Sequence, residues 1–368
     1  MVTIIFWFAL LLSIGLPVAF VLGTTSVAYM VLVADLPLRV VPQRLFAGLD
    51  QFILMSIPFF ILAGLLMNEV QLTGRLIDFA NRLVGRWRGG LAQVNVVTSM
   101  FFGGITGAAT ADTAAIGTIL IPAMVREGYK REFAAAVTVA SSIVGPLIPP
   151  SIPMLVYGIA SNVSISALFL AGVTPGVVVG LSMLVLNRFL LRRMEPANAT
   201  DAGNGTALER VRDFTASFRA ALIALFMPAV IVGGVVGGVF TPTESSAVAV
   251  VYAIVVGLAM RTLRHKALLN TMIATVILST AIMMIIANAN LLGWVLAFEQ
   301  VPQSVANAFL SLTDSRVTFL LIVAAILLTV GLFLETSGAI IILVPVLLPA
   351  ALQYGIDPVH FGVVIVFG

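Results

Sequence analysis

The sequence predicts an all-α polytopic membrane protein in which broken helices and re-entrant hairpins interrupt the membrane spans. Hydrophobic residues make up 60% of the 368 residues, charged residues make up 10%, and the mean hydropathy is +1.14. A soluble core cannot bury so much apolar surface, whereas helices that satisfy their own backbone groups can expose it to lipid. Glycines and prolines interrupt apolar runs, most clearly between Ala140 and Asn162. Membranes tolerate such breaks only beside protein or a water-filled cavity, so they indicate the ion and substrate site of a carrier.

The composition also excludes several classes of function. The 19 Lys and Arg residues lie mostly in short loops, so we expect no nucleic-acid partner. The chain has no cysteine, and therefore no disulfide and no thiolate site. No GxxxxGK[ST] phosphate loop is present, and His265, His360 and Asp112 lack the partners that an intramembrane protease needs. We therefore expect neither an enzyme nor a bound cofactor.

Two elements begin the N-terminal half, residues 1–191. The first apolar run, IIFWFALLLSIGLPVAF, lacks a basic n-region and a small-residue cleavage site, so we expect a retained membrane segment. Farther along, residues 70–87 place Leu72, Leu76 and Phe79 at helical spacing, with charged residues between them. This pattern predicts an amphipathic helix at the membrane interface.

A re-entrant hairpin is predicted over about residues 91–125. The sequence GGITGAATAD breaks this run near its middle. Each limb of about 13 residues reaches roughly 20 Å, which is shorter than a hydrocarbon core of about 30 Å. Basic residues flank both ends, from Arg75 to Arg88 and from Arg126 to Arg131. We therefore expect the hairpin to enter and leave on the cytoplasmic side.

A broken helix is predicted over about residues 133–162. Gly145, Pro146, Pro149 and Pro150 lie inside an apolar run that is long enough to cross a bilayer. Proline has no amide hydrogen and clashes with the preceding helical turn. The helix must therefore open at mid-membrane.

An arginine-rich polar stretch divides the chain. Residues 192–217 include EPANATDAGNGTALER and are predicted to form a cytoplasmic linker. The C-terminal half, residues 218–368, then repeats the earlier order. It is predicted to begin with two spans, residues 218–240 and 245–260, and a longer span, residues 268–298. An amphipathic stretch, residues 301–312, and a second re-entrant hairpin, residues 317–351, follow. The sequence GLFLETSGA marks the break in this hairpin.

The two halves are predicted to be inverted repeats. Four positions align at a single offset, three of them with identical residues: Ile121, Pro122, Ala123 and Gly128 align with Leu348, Pro349, Ala350 and Gly355. Basic residues flank the first hairpin and acidic residues flank the second, so we expect the copies to have opposite orientations in the membrane. At the same offset, the counterpart of Pro149 and Pro150 falls beyond Gly368. We therefore expect either a chain that is truncated before its second break or a symmetric site of which half is missing.

Four long segments carry a family resemblance: SMFFGGITGAATADTAAIGTILIPAM, AASSIVGPLIPPSIPMLVYGIAS, GGVFTPTESSAVAVVYA and LPAALQYGIDPVHFGVV. They resemble the large membrane subunit, DctM type, of tripartite ATP-independent periplasmic (TRAP) transporters, nearly from end to end. The resemblance implies a sodium-driven secondary carrier of the bacterial inner membrane, with a scaffold and an elevator-type transport domain similar to the ion transporter superfamily. It also implies a small four-helix-type membrane subunit, a periplasmic binding protein and surrounding lipid.

The chain departs from the family pattern at both hairpin tips. The first tip has Thr106 and Ala108 where the family usually has serines, which puts a role for the second hydroxyl in doubt. The second tip reads Leu334, Glu335 and Thr336 where the family usually has MDA. The second proline-containing break of the family, expected after Val366, is absent.

The resemblance and the breaks together predict where ions and substrate bind. Carbonyl oxygens freed at a break, together with hydroxyls, suit a cation that must lose its water, and half-helix N-termini suit a carboxylate. The first predicted sodium site lies between the first tip and the break and comprises Thr106, Gly107, Thr110, Ser142, Gly145 and Pro146. The second uses the second tip and comprises Glu335, Thr336, Ser337 and Gly338. An organic acid such as a C4-dicarboxylate or a sialic acid is expected at Pro149, Pro150, Ser151 and Asp112.

Alternative interpretations apply to three carboxylates. Asp112 is equally consistent with an N-cap of a helix that starts at Thr113. Glu335 is expected to be functional, because a carboxylate within a span is costly, although a tip at the interface would relieve that cost. Glu244 follows Thr241 and is expected to cap a helix.

The function and the charge distribution also leave alternatives open. A stand-alone sodium-coupled organic anion carrier or antiporter, working without a binding protein, is the second functional hypothesis. Arg39 and Arg44 fall on the outer side in the predicted topology, against the positive-inside rule, although Asp35 and Asp50 offset their charge. No Arg or Lys is predicted at the depth of the substrate, so neutral donors must hold the anion unless a loop arginine folds inward.

Overall fold

The protein is helical, as the sequence predicts. The structure is a computed structural model that describes residues 2–191 and 207–368, and this part of the chain forms 17 α-helices, a short 3-10 helix and no β-strand. Within the described residues, 6 helical segments are long and apolar enough to cross a membrane: Phe52–Glu69, Ile165–Leu190, Phe214–Val236, Pro242–Ala259, His265–Phe298 and Thr336–Gln353. The predicted class, an all-α polytopic membrane protein, is therefore confirmed.

Ten helices precede the linker region. They are α1 Val2–Ser13, α2 Val18–Leu32, α3 Val40–Leu49, α4 Ser56–Glu69, α5 Leu72–Val84, α6 Gly90–Thr106, α7 Ala109–Arg126, α8 Arg131–Ser142, α9 Ile152–Ser161 and α10 Ile165–Leu190, and the 3-10 helix Phe52–Met55 leads into α4. The first apolar run of the sequence forms both α1 and the start of α2. Gly15 adopts a positive φ between them, and Pro17 cannot donate a helical hydrogen bond, so the helix stops and restarts here.

Seven helices follow. They are α11 Ala207–Val236, α12 Pro242–Ala259, α13 His265–Phe298, α14 Val301–Leu312, α15 Arg316–Val330, α16 Thr336–Gln353 and α17 Pro358–Phe367. Because α11 begins at Ala207, the predicted linker over 192–217 extends too far. The sequence places Leu208, Val211, Phe214 and Phe218 at helical spacing, which continues the helix into the polar stretch. Residues 192–206 lie outside the described residues.

The helices divide between two compact units. One comprises Met1–Pro58, Pro153–Leu168 and Val276–Gly368, and the other comprises Phe59–Ile152 and Phe169–Thr275. In the second unit α6 packs against both α7 and α8, and α5 packs against α6 and α11. Leu72, Leu76 and Phe79 on the apolar face of α5 are buried. This face is therefore covered by neighbouring helices of the protein.

The structure has a pair of helices at each position where the sequence predicts a hairpin. Helices α6 and α7 pack together and meet at Gly107 and Ala108, whereas α15 and α16 are separated by residues 331–335. The predicted broken helix corresponds to α8 and α9, with residues 143–151 outside any helix between them. The inverted relation between the halves stays a prediction.

Candidate functional site

The tip of the first hairpin packs closely against the break between α8 and α9. Glycines make this approach possible, because a Cβ atom on Gly103 would collide with the backbone of Gly145, and one on Gly107 would collide with the carbonyl group of Pro150. A backbone hydrogen bond links the two segments, since the amide of Ile152 donates to the carbonyl oxygen of Gly107 over 3.3 Å. Sequence-predicted residues from the tip and the break are therefore neighbours.

Gly107 also determines how the hairpin turns. It adopts a φ of +62° directly after α6, and its amide donates to the carbonyl oxygen of Gly103 over 2.9 Å. A positive φ is unfavourable for residues with a Cβ. The helix can therefore end at Thr106 and the next can begin at Ala109, which keeps the tip short.

Asp112 supplies a buried carboxylate at this junction. The residue is 0% exposed, and its Oδ1 atom accepts a hydrogen bond from the hydroxyl of Thr106 on the other limb. Its Oδ2 atom has no hydrogen-bond partner among the described residues. This oxygen faces the glycines, because Cβ atoms placed on Gly103 and Gly145 would both contact it. Buried carboxylate oxygens normally have a partner, so Oδ2 is a candidate contact for a ligand.

The N-cap interpretation of Asp112 is wrong. Helix α7 begins at Ala109, with the extended residue Ala108 at its N-cap position. Asp112 therefore lies in the first helical turn, where a negative charge is favourable but the side chain does not cap the free amides. The sequence pattern misplaced the helix start because the positive φ of Gly107 allows α7 to begin earlier than Thr113.

The remaining predicted residues of this site differ in their position. Ser142 is buried, its hydroxyl donates to the carbonyl oxygen of Thr138 over 2.8 Å, and its own carbonyl oxygen accepts the amide of Gly145 over 3.0 Å. The hydroxyl of Ser151 donates to the carbonyl oxygen of Pro146. Thr110, in contrast, is exposed.

The predicted substrate residues after the break are enclosed. Pro149, Pro150 and Ser151 are all buried. The carbonyl oxygen of Pro149 lies 3.3 Å from the position of a Cβ on Gly104, so the tip covers this segment closely. The structure therefore brings these residues against the hairpin tip, next to the start of α9.

The sequence analysis missed a buried polar network between α6 and α8. The side-chain Nδ2 of Asn95 donates to Thr138 Oγ1 over 2.7 Å, and the hydroxyl of Ser141 donates to Asn95 Oδ1 over 3.1 Å. Ser99 Oγ and Ser141 Oγ share a hydrogen bond of 2.8 Å. Asn95, Ser99 and Gly103 recur every four residues, a signal that places them on one face of α6.

The second hairpin tip is capped by its own acidic residue. Glu335 is the N-cap of α16, and its carboxylate accepts hydrogen bonds from the amide and the hydroxyl of Ser337 over 3.0 and 3.2 Å. Glu335 is exposed and Thr336 is half-buried, whereas Ser337 and Gly338 are buried. The side chain of Glu335 therefore caps the helix end, and its functional role stays a prediction.

The cap predicted at Glu244 is confirmed. Thr241 Oγ1 accepts the amide of Glu244 over 3.2 Å, and Glu244 Oε2 accepts the amide of Thr241 over 2.7 Å. This reciprocal pair is a capping box at the start of α12. Glu244 therefore has a structural role.

These observations define a multi-pass membrane protein, with a broken helix that faces a hairpin tip. Comparison with known proteins identifies its family. Residues 5–368 match the family described as "Tripartite ATP-independent periplasmic transporter, DctM component". The chain therefore belongs to the DctM family of TRAP transporter permeases. It is a multi-pass protein of the bacterial inner membrane and not an enzyme.

Individual relatives support this assignment. The sialic acid TRAP transporter large permease protein SiaM of Vibrio cholerae is 37% identical over 358 residues, covering 97% of this chain and 82% of the relative. The C4-dicarboxylate TRAP transporter large permease protein DctM of Pseudomonas aeruginosa is 40% identical over 348 residues, covering 94% of this chain and 79% of the relative. The crystal structure of the Alcanivorax borkumensis YdaH transporter is similar in fold, with a TM-score of 0.57, 19% sequence identity and coverage of 98% of this chain and 85% of that one.

Proposed function

We propose that this permease couples the import of an organic acid anion to the entry of sodium ions. The observation that carries the proposal is the carboxylate of Asp112, which is buried at the junction of tip and break with one oxygen lacking a protein partner among the described residues. An uncompensated buried charge is costly, whereas a cation bound beside it would offset that cost. Sodium enters the proposal through the family resemblance.

The oxygen atoms around Gly145 support a small cation at this place. A Cβ atom on Gly145 would contact Asp112 Oδ2 and would lie 3.2 Å from the carbonyl oxygen of Ser142. The absence of that Cβ leaves both oxygens facing the same position. Thr106 orients the carboxylate through its hydroxyl. We propose Asp112, Thr106 and the backbone of Ser142, Gly145 and Pro146, with Gly107 shaping the tip, as the first sodium site.

This proposal changes the role of Asp112 from substrate binding to ion binding. An organic acid anion next to an ionised carboxylate would be repelled, and the interaction is strong in a buried environment. The structure pairs Asp112 with the hairpin tip instead. Thr110, which is exposed, is left out of the proposed site.

The substrate carboxylate is proposed to bind where α9 begins. Pro149, Pro150 and Ser151 immediately precede this helix, and the N-terminus of a helix carries a partial positive charge that attracts an anion. The relatives are named for sialic acid and for C4-dicarboxylates, so we propose a substrate of the same broad class. The tip must separate from the break for an anion to reach this position.

A second sodium site is proposed at the second hairpin tip. Glu335, Thr336, Ser337 and Gly338 form the start of α16, and the cap keeps the carboxylate of Glu335 at the helix end. The proposal rests on the predicted inverted repeat, in which this tip is the counterpart of the first. The family is tripartite, and we propose that a small membrane subunit and a periplasmic binding protein complete the transporter.

Equilibrium binding of radioactive ²²Na⁺ tests the first site. The purified chain with its small membrane subunit is compared with an Asp112→Asn variant, which keeps the side-chain shape but removes the charge. We expect the sodium affinity to fall by at least about tenfold, the equivalent of about 1.4 kcal/mol. Glu127→Gln is the matched control, because Glu127 follows the C-terminus of the same helix. Equal sodium affinity in wild type and Asp112→Asn would exclude Asp112 as a ligand.

A further inference from the structure

One unit of the structure contains an open cavity that the sequence analysis did not predict. The cavity has a volume of about 310 Å³, which is sufficient for a small organic molecule. It is lined by α3, α9, α13 and α16, all within the unit that contains residues 276–368. The polar residues that line it are Arg44, Gln51, Asn162, Asn290 and Trp294. We name this cavity the outer vestibule.

The charge of the outer vestibule is positive. Arg44 is its charged residue, and no acidic side chain among the described residues lines it. The guanidinium carbon of Arg44 lies 5.1 Å from the centroid of the Trp294 ring. This distance is within the range of a cation–π contact, which orients the guanidinium while its N–H groups stay available. A guanidinium fork is well suited to bind a carboxylate through two parallel hydrogen bonds.

The predicted topology independently places this cavity on the outer side of the membrane. Arg44 follows the second helix, Asn162 follows the helix pair that leaves the cytoplasm, and Trp294 lies near the outer end of α13, which starts at the basic residues around His265. The predicted order of spans places each of these positions outside, although the charge of Arg44 itself goes against the positive-inside rule. The structure brings the three residues to one cavity, which explains why an arginine occurs on the side where positive charge is disfavoured.

Two of the helices that line the outer vestibule begin at residues of the proposed transport sites. Val156 and Ile159 belong to α9, whose first turn follows Ser151. Ile341 lies one turn after Ser337 on α16. The cavity is therefore lined by the two helices that begin at the proposed substrate and second sodium sites.

We propose that the outer vestibule is an external binding site for a small organic carboxylate, with Arg44 as the residue that recognises the carboxylate. This inference rests on the proposed function and adds a positively charged entry site to it. The side-chain amides of Asn162, Asn290 and Gln51 offer both donors and acceptors, so they suit hydroxyl groups of the substrate. Trp294 supplies an apolar wall and holds Arg44 in place.

Fluorescence of Trp294 provides a direct test. The chain contains 3 tryptophans, and a Trp7→Phe/Trp87→Phe background leaves Trp294 as the reporter. The full chain and its small membrane subunit are placed in nanodiscs and titrated with succinate, gluconate and N-acetylneuraminate, each with and without sodium. Succinamide, the neutral analogue of succinate, is the ligand control. We expect at least one carboxylate, but not succinamide, to change the emission saturably.

Two arginine variants separate specific recognition from general charge. Arg44→Gln should weaken carboxylate binding by about 10- to 100-fold, as expected for the loss of a charge-assisted hydrogen bond. Arg39→Gln should bind the carboxylate with the same affinity as the Trp7→Phe/Trp87→Phe background, because Arg39 lies in the same outer segment but does not line the cavity. Equal affinity in Arg44→Gln and that background, or no saturable change with any of the three carboxylates, would overturn the proposal.

A parallel uptake assay distinguishes this proposal from the proposed sodium coupling. In proteoliposomes with an imposed sodium gradient, Arg44→Gln should raise the external substrate concentration for half-maximal uptake while leaving the sodium dependence unchanged. If carboxylate binding depends on Arg44 but uptake does not depend on sodium, the proposed sodium coupling is refuted and the proposed vestibule site is retained. Sodium-dependent uptake with unchanged substrate dependence in Arg44→Gln would refute the vestibule and retain the coupling.

Discussion

At the first hairpin tip, Thr106 and Asp112 join the two limbs through a side-chain hydrogen bond. Thr106 is the last residue of α6, and Asp112 lies in the first turn of α7. The bond fixes one carboxylate oxygen and leaves the other facing Gly145. The position of the proposed ion ligand therefore depends on a hydroxyl from the opposite limb.

Replacing the hydroxyl while keeping the shape tests this dependence. Thr106→Val should raise the sodium concentration for half-maximal uptake by roughly tenfold, because the carboxylate loses a donor worth about 1–2 kcal/mol. Thr106→Ser keeps the hydroxyl, so its sodium concentration for half-maximal uptake should stay within about threefold of the wild-type value. Sodium titrations of substrate uptake measure both variants. The same sodium dependence in Thr106→Val and Thr106→Ser would contradict the proposed role.

Gly107 combines a positive φ with a close backbone neighbour, so its position tolerates a side chain poorly. Gly107→Ala places a Cβ at a positive φ and against the carbonyl group of Pro150. We expect a loss of roughly 1–3 kcal/mol in stability and a matching loss of uptake. Thermal denaturation of the purified protein measures the first effect. Gly74→Ala is the control, because Gly74 lies in α5 and no neighbouring atom lies within 4 Å of the position of its Cβ. Unchanged stability of both variants would refute the close packing of tip and break.

The sequence predicted residue types better than residue partners. The hydroxyls and glycines of the first tip could be selected because they interrupt an apolar run. The pairing of Thr106 with Asp112 could not be predicted, because it depends on the positive φ of Gly107, which lets α7 begin at Ala109. Arg44 was also missed as a candidate, since its position over Trp294 depends on the packing of α3 against α13 and not on any local pattern.

At the scale of elements, the polar network between α6 and α8 holds the hairpin against the broken helix. Asn95, Ser99, Thr138 and Ser141 are all 0% exposed, and they bond across the helix pair. Farther along α6, Gly103 meets Gly145, which lies just after the end of α8. Because polar groups must align to bond, the network fixes the register that brings these glycines together.

Ser141 is the most informative position in this network. Ser141→Ala leaves Asn95 Oδ1 and Ser99 Oγ without that partner inside the protein, so the stability should fall by roughly 1–3 kcal/mol. Ser182→Ala is the matched control, since Ser182 is exposed and bonds only locally to the carbonyl oxygen of Val179. It should change the stability by less than about 0.5 kcal/mol. Equal apparent Tm values for the two variants would show that the network does not stabilise the helix pair.

Most elements could be predicted because membranes restrict the choice of structure. Long apolar runs without charge must be helical, and proline and glycine show where those helices break. The start of α11 was placed too late because the linker composition masked a helical spacing of apolar residues that continues back to Leu208. The buried network was missed because isolated Asn and Ser residues do not lower the hydropathy of α6 enough to be noticed.

At the scale of the whole molecule, the family assignment and the site geometry support each other. The match to the DctM component extends over residues 5–368, so both hairpins and the broken helix lie within it. In the proposed function, the buried carboxylate at the first hairpin tip binds a cation, and the partial positive charge at the start of α9 attracts an anion. Ion and substrate would then bind to the same pair of elements, which is the arrangement that coupled transport requires.

Uptake of radiolabelled organic acids into proteoliposomes tests sodium-coupled import most directly. The vesicles contain the permease with its small membrane subunit, and uptake is measured with sodium or potassium gradients, with and without the periplasmic binding protein. The account predicts uptake that requires both the sodium gradient and the binding protein. Uptake with sodium alone would identify the stand-alone carrier instead, and equal uptake with a potassium gradient would contradict sodium coupling altogether.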